Sequence, residues 1–367
     1  MKTSKISFCT VCRNRLHHLK KTLPQNIADN KDYDEVEFIV LDYNSSDELE
    51  EFIETNMQEH IISGKLIYYK TTQPSFFHRS HSRNLSFKLA TGDIVCNIDA
   101  DNYTGKSFAA FINQSFEENS EICLNTTEPE QGLVNKDVLG RICVLKKDFL
   151  AIRGFDESMH NYGYEDFDLV NRLKLSGIRS LCIKDMVYLH AISHSDKERI
   201  SEEHNLQQFN SLLLNYIDES TSQVLLLFNN HEYNFGTIRD IMSTYARYPE
   251  KPAASPEREL HQIKEKEWST GLWEKEDQLL RLSHHTGNDT LQYDEIKNCF
   301  IGNYAGSGFY EITDLSMIEQ AIFSYSQRIN KKIMENNKLN RNIIVNTEEF
   351  GKAIVYKNFD NNTPIHI

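Results

Sequence analysis

Apolar positions along the chain alternate between short continuous runs and three-to-four-residue spacings, which predicts strands alternating with helices. Residues 5–11 and 36–41 read as the first two strands. After the first, Leu16, Leu19, Leu23 and Ile27 recur at helical spacing; after the second, Leu49, Phe52, Ile53 and Met57 do the same. A third strand is expected at 65–71, then a helix over 83–90 stopped by Gly92. Ile94, Val95, Cys96 and Ile98 form the next buried run. Further on, the pattern predicts a helix over 107–116, extended segments at 122–126 and 141–145, and a helix over 168–176 that ends at Gly177. A strand over 186–192 and a helix over 206–216 follow.

Such alternation argues for an α/β fold of Rossmann-like type, a mainly parallel sheet with helices on both faces. The pattern changes after residue 220. Val224 to Phe228 is an apolar strand, Pro249 to Pro256 is the most proline-dense stretch, and short strand-like pieces carry Trp268 and Trp273. A helix over 315–334 and a strand near 353–356 complete the chain. The expected division is therefore residues 1–220 and a smaller α+β domain over 221–367.

Composition bounds the partners. The 367 residues have a formal net charge of −14 and no long basic block, which argues against nucleic acid. The seven cysteines sit mostly within apolar runs and are expected to be free, buried thiols in a reducing, cytoplasmic setting. No run approaches the ~20 apolar residues of a membrane span, so any membrane contact is expected to be peripheral.

The candidate chemistry lies in two acidic clusters. Asp99 and Asp101 arrive at the carboxyl end of the fourth strand, where open α/β sheets bind ligands. Two acids flanking one small residue repel each other, and a divalent cation bridging to a ligand's phosphates relieves that repulsion. The second cluster, Tyr162-Gly163-Tyr164-Glu165-Asp166-Phe167-Asp168, opens a helix. His190 and His194 come just afterwards, and Arg79 with Arg83 makes a cationic patch suited to a diphosphate. An Asp-x-Asp phosphatase nucleophile pair is disfavoured, because Tyr103 stands where that motif needs Thr or Val. A nucleotidyltransferase would need glycines in the loop after the first strand, and residues 10–15 have none.

Taken together, Ser7 to Arg15, Val40 to Asp47, Arg83 to Asp93, Ile98 to Asp101 and Gly154-Phe155-Asp156 through Leu173 resemble the GT-A glycosyltransferases. The resemblance is to the inverting family 2 type, with a second half like that of the β-1,4-galactosyltransferases, and it spans about residues 5–210. It implies that Thr10, Val11 and Arg13 lie along the nucleotide, and that Asp42 contacts uracil or ribose. By the same resemblance Arg83 holds the pyrophosphate, Asp99 lies near the ribose or sugar, and Asp101 binds Mn2+ or Mg2+ with His194 or His190. Asp166 is then the catalytic base and Glu165 its acceptor-binding neighbour. Tyr162 and Tyr164 stand where the galactosyltransferases have Trp and Gly, a departure on the acceptor side. The implied partners are a UDP-sugar donor and a glycan or lipid-linked oligosaccharide acceptor.

Overall fold

The structure is a computed structural model that describes residues 3–127, 136–218, 221–239, 262–263 and 268–367. The proline-dense stretch Pro249 to Pro256 lies outside the described residues. The chain forms two compact units, Met1–Ser195 with Asn330–Ile367, and Asp196–Ile329.

The strands of the first part of the chain are β1 (Ile6–Cys12), β2 (Val36–Tyr43), β3 (Leu66–Thr71), β4 (Ile94–Asn97), β5 (Asn102–Tyr103), β6 (Ile122–Asn125), β7 (Cys143–Leu145), β8 (Arg179–Cys182) and β9 (His190–Ala191). The helices among them are α1 (Leu16–Asp29), α2 (Leu49–Asn56), α3 (Gln58–Ile62), α4 (Arg79–Leu89), α5 (Phe108–Glu118), α6 (Lys146–Ala151) and α7 (Glu165–Leu175). β3, β2, β1 and β4 run parallel in that order, and β7 joins antiparallel to β4. Every residue of β2 and β4 is buried, so these strands read as largely apolar runs, with Glu37, Asp42 and Asn97 the polar exceptions. Phe8, Val40 and Cys96 belong to the core on one face of the sheet; Cys9, Ile39, Leu41 and Val95 belong to the core on the other. The seven cysteines are free thiols and all but Cys182 are buried, as expected.

β5 and β9 form a small ribbon of their own, Asn102 opposite Ala191 and Tyr103 opposite His190. The backbone N–H of Ile192 also donates to Asp101 O at 2.8 Å. This ribbon seats the segment leading to His194 against the turn that follows β4. A full strand over 186–192 does not form. Met186 and Val187 are exposed in a short 3-10 turn that Asp185 caps through the Val187 N–H, so the apolar run there has no sheet to enter.

The second unit contains α8 (Asp196–Ile200), α9 (His204–Gln207), β10 (Phe209–Tyr216), β11 (Thr221–Phe228), β12 (Glu232–Arg239), β13 (Gln262–Ile263), β14 (Ser269–Glu276), β15 (Leu279–His284), β16 (Gly287–Asp294), β17 (Cys299–Ile301) and β18 (Phe309–Ile312). Each of β10, β11, β12, β14, β15, β16, β17 and β18 pairs antiparallel with the next, and β18 returns to β10. The strands thereby close into a barrel, which leaves no edge along the ring. Leu213, Leu225, Leu227, Leu280, Leu282, Leu291, Phe300 and Phe309 make one of its cores. The helix expected over 206–216 is thus mostly strand β10. Leu212, Leu213 and Leu214 are all buried, and a continuous apolar run buried on both faces suits a strand between two partners better than a one-faced helix.

Helix α10 (Leu315–Leu339) begins in the second unit and ends in the first. After it, β19 (Ile354–Lys357) pairs antiparallel with β3, and β20 (Asp360–His366) pairs with β19. This differs from the expected division at residue 220. Residues 330–367 return to the first unit because β3 would otherwise leave its backbone groups unpaired at a sheet edge. What lies between is a β-rich unit. Among the described residues no helix is long and apolar enough to cross a membrane.

Candidate active site

β4 ends at Asn97, and the turn beyond it carries both acids of the first cluster. Asn97 Nδ2 donates to Asp99 Oδ1 and to Gly140 O, each at 2.9 Å, fixing the Asp99 side chain over the backbone of residue 140. There is no room there for a side chain: a Cβ on Gly140 would lie 2.5 Å from Asp99 Oδ2 and 2.8 Å from Arg83 Nη2. Asp101 is held from both sides. Asn102 Nδ2 donates to its Oδ1 at 2.8 Å, and His194 Nε2 lies 2.6 Å from its Oδ2. Asn102 is itself fixed by Arg141 Nη2, which donates to its Oδ1 at 3.1 Å and to Tyr103 O at 2.8 Å. Arg141 is fully buried, and burial pushes its guanidinium below the usual arginine range.

The second cluster meets the first through Arg83 on α4. Its Nη2 reaches Asp99 Oδ1 at 3.1 Å; its Nη1 reaches Asp166 Oδ1 at 2.9 Å and Glu165 Oε1 at 3.3 Å. One guanidinium therefore ties three carboxylates from two elements distant in sequence. Burial disfavours the charge on Arg83, but Asp166, Asp99 and Glu165 together raise its pKa further above neutrality. Burial would also raise Asp99, yet Arg83 and Asn97 hold its carboxyl below the usual range. Asp166 goes the other way. Burial lifts its pKa well above the ordinary carboxylate range, and Arg83 does not offset burial and the neighbouring acids. Two carboxylates on one arginine are thus pushed apart, which separates an ionised group from one suited to taking a proton.

Glu165 and Asp166 stand in the first turn of α7, where backbone N–H groups favour acids. The turn before them is left-handed at Gly163 (φ 102°) and Tyr164 (φ 68°). Glu165 is buried, and its Oε2 has no hydrogen-bond partner. Arg79, one turn before Arg83, lies between two rings, 5.0 Å from the centre of Phe77 and 4.7 Å from that of Tyr162.

The residues expected along the nucleotide are at the strand ends. Thr10 is buried and Val11 half-buried near the end of β1. Arg13 donates to Tyr43 O at 3.0 Å and Pro74 O at 3.3 Å, and bonds Ser75 O. It thereby holds the walls of a cavity of about 610 Å³, lined by Tyr43, Thr71, Gln73, Ser75, Phe76 and His81 among others. Asp42 is fully buried. Tyr68 Oη donates to its Oδ2 at 2.7 Å and the Ser45 N–H to its Oδ1 at 2.8 Å, and burial raises its pKa. His190 is exposed on β9, whereas His194 reaches Asp101.

The structure therefore gathers Arg83, Asp99, Asp101, Glu165, Asp166 and His194 around the ends of β4 and α7. Sequence reasoning missed Asn97, Asn102, Gly140 and Arg141, which shape the cluster without carrying its chemistry. Asn97 and Asn102 bracket the Asp-x-Asp pair, and that placement was the available signal.

Residues 7–148 match the family model described as glycosyl transferase family 2, and residues 135–198 match the one described as the N-terminal domain of galactosyltransferase. Comparison with curated proteins gives no match. Among solved structures, mannosyltransferase PcManGT from Pyrobaculum calidifontis, in complex with GDP-Man and Mn2+, is similar at 17% identity and TM-score 0.42, covering 50% of this chain and 56% of that one. S. aureus TarS 1–349 is similar at 17% identity and TM-score 0.40, covering 49% and 58%. The catalytic domain of Drosophila beta1,4galactosyltransferase 7, in complex with xylobiose, is similar at 13% identity and TM-score 0.35, covering 55% and 74%. The chain spans little more than half the length of the first two. By these matches residues 7–148 form a segment of the glycosyl transferase family 2 type, a GT-A α/β fold, and the overlapping residues 135–198 a galactosyltransferase-type segment that carries Glu165, Asp166 and His194.

Proposed function

We propose that the protein catalyses an inverting, divalent-metal-dependent transfer of galactose or N-acetylgalactosamine from a UDP-sugar to a hydroxyl of a glycan or glycolipid, in the assembly of a surface polysaccharide. The observation that carries this reading is the Arg83 bridge, which joins the Asp99 turn to the Glu165-Asp166 helix start. Glycosyl transfer needs two things at one point, positive charge for a departing diphosphate and a base for the attacking hydroxyl. Arg83 and Arg79 supply fixed cations. Asp166, with its raised pKa, takes the acceptor proton, and Glu165 Oε2, buried and without a partner, accepts a second acceptor hydroxyl.

Asp101 and His194 are the residues that would hold a metal ion. A carboxylate and an imidazole 2.6 Å apart form a mixed donor set that suits manganese, and Asn102 fixes the carboxylate from behind. Bound there, the ion supplies positive charge to the leaving diphosphate. The uridine fits the cavity braced by Arg13, where Phe76 and Tyr43 offer aromatic faces and Gln73 an amide.

The test is UDP release from UDP-galactose and UDP-N-acetylgalactosamine, with manganese, across a panel of p-nitrophenyl glycosides. Release stimulated by at least one glycoside and lost on chelation supports the reading. Absence of glycoside-dependent release with either donor counts against it.

A further inference from the structure

The last part of the chain, residues 330–367, lies outside both family matches, yet it belongs to the same compact unit as the acidic clusters. Its asparagines make a series of bonds to one loop, residues 153–168. Asn330 and Asn337 on α10 are seven residues apart, two helical turns, so they share a face. Asn330 Nδ2 donates to Asn161 O at 2.7 Å and to Gly163 O at 2.8 Å. Asn337 Nδ2 donates to Asp156 Oδ2 at 2.8 Å and Asp168 Oδ1 at 3.0 Å. Beyond the helix, Asn346 Nδ2 donates to Arg153 O at 2.7 Å, and Asn346 Oδ1 accepts from the Glu157 N–H at 3.0 Å.

The Asn330 contacts fall on the tightest part of the loop. Gly163 and Tyr164 both have left-handed backbone, and Tyr164 has no glycine freedom to adopt it. A non-glycine residue there is strained, so it persists only where its surroundings over-determine it. Asn330 is fully buried and spends both amide hydrogens on the two carbonyls that define the turn. The turn aims Tyr162 and Tyr164 and starts α7 at Glu165. With no side chain of its own in the cluster, Asn330 thereby sets where that helix begins.

We infer that Asn330 is a positioning residue for the acceptor side of the site, holding the Asn161–Tyr164 turn so that Glu165 and Asp166 meet the acceptor hydroxyls, while the donor side stands without it. This rests on the transferase reading proposed above.

The test compares Asn330→Ala and the milder Asn330→Ser, which keeps one donor, with Val355→Ala in β19 as a control for general loss of stability. Acceptor KM is measured with the glycoside most active in the panel, UDP-manganese affinity by calorimetry, and exchange of the amides at 160–167 by mass spectrometry. Asn330→Ala is expected to raise acceptor KM about tenfold and to speed exchange at 160–167, with UDP affinity within about twofold. Asn330→Ser should fall between, and it serves alone if the alanine variant does not fold. The control should leave acceptor KM unchanged. Unchanged KM and exchange in the Asn330 variants, or UDP affinity lost in step with KM, would overturn the inference. Failure of the unsubstituted protein to bind UDP with manganese would instead overturn the transferase reading beneath it.

Discussion

The start of α7 in the first unit and the barrel of the second treat charge in opposite ways. Around α7, ion pairs are buried: the Arg83 side chain is 8% exposed against Glu165 at 4%, and Arg172 and Asp168 are each 1% exposed. In the second, a pair such as Arg281 with Glu276 stands 49% and 63% exposed. The barrel is filled by leucine and aromatic side chains and keeps such charge outside. Taking charged groups out of water costs several kcal/mol per ion, and a fold alone seldom needs it. Buried charge gathered at the strand ends of one unit therefore supports the site proposed there, and its scarcity among the described barrel residues marks a surface shaped mainly by packing and solvation.

The comparison breaks most visibly at the base. Asp166→Asn is expected to lower transfer about a thousandfold while leaving UDP-manganese affinity within about twofold, read by UDP release and calorimetry. The raised pKa of Asp166 gives this a pH signature. The carboxylate is the active form, so the rate should climb with pH through an apparent pKa above the ordinary Asp value of about 3.9, until ionisation is complete. Next in size, Asp101→Ala should weaken manganese-dependent UDP binding about a hundredfold. Asn102→Ala, which strips the donor from Asp101 Oδ1, should weaken it about tenfold. Gly140→Ala sharpens the point from the packing side. Its Cβ would press on Asp99 Oδ2 and Arg83 Nη2, and urea unfolding should show a loss of about 1–3 kcal/mol together with a fall in transfer. At the small end, Arg281→Ala on the barrel should change stability by less than about 1 kcal/mol and leave transfer unaltered. A large effect there would undo the contrast between the units.

Much of the first unit was legible in the sequence because its strands are buried on both faces. Val36 to Leu41 and Ile94 to Ile98 are apolar runs interrupted only by Glu37 and Asn97, and the acids that follow them sit where open α/β sheets place ligands. The same signal misled at 206–216, where a leucine-rich run suits a helix or a doubly buried strand, and only the neighbouring strands decide between them. His190 and His194 were indistinguishable in sequence. The β5–β9 pairing, which turns His190 outward and leaves His194 beside Asp101, is a tertiary fact. The return of residues 330–367 to the first unit was equally invisible, because β19 meets β3 across nearly the whole chain. One trace of it was present. Asn336, Asn337, Asn340, Asn342 and Asn346 crowd the end of α10 and the segment beyond, and asparagine is a poor choice for a helix unless its amides have work elsewhere.

The most direct test of the central claim, that the Asp99–Asp101 turn with His194 and Arg83 is a metal-assisted UDP-sugar site, is a thermal-shift titration of the full chain with UDP, UDP-galactose and UDP-N-acetylgalactosamine, each with manganese and with chelator. A ligand that binds only the folded state adds stability by mass action, about 2.7 kcal/mol at a hundred times its Kd, and so raises the melting temperature. The expected result is stabilisation by UDP and at least one UDP-sugar that requires manganese and disappears in Asp101→Ala. Equal stabilisation with chelator, or none from any uridine nucleotide, would contradict it.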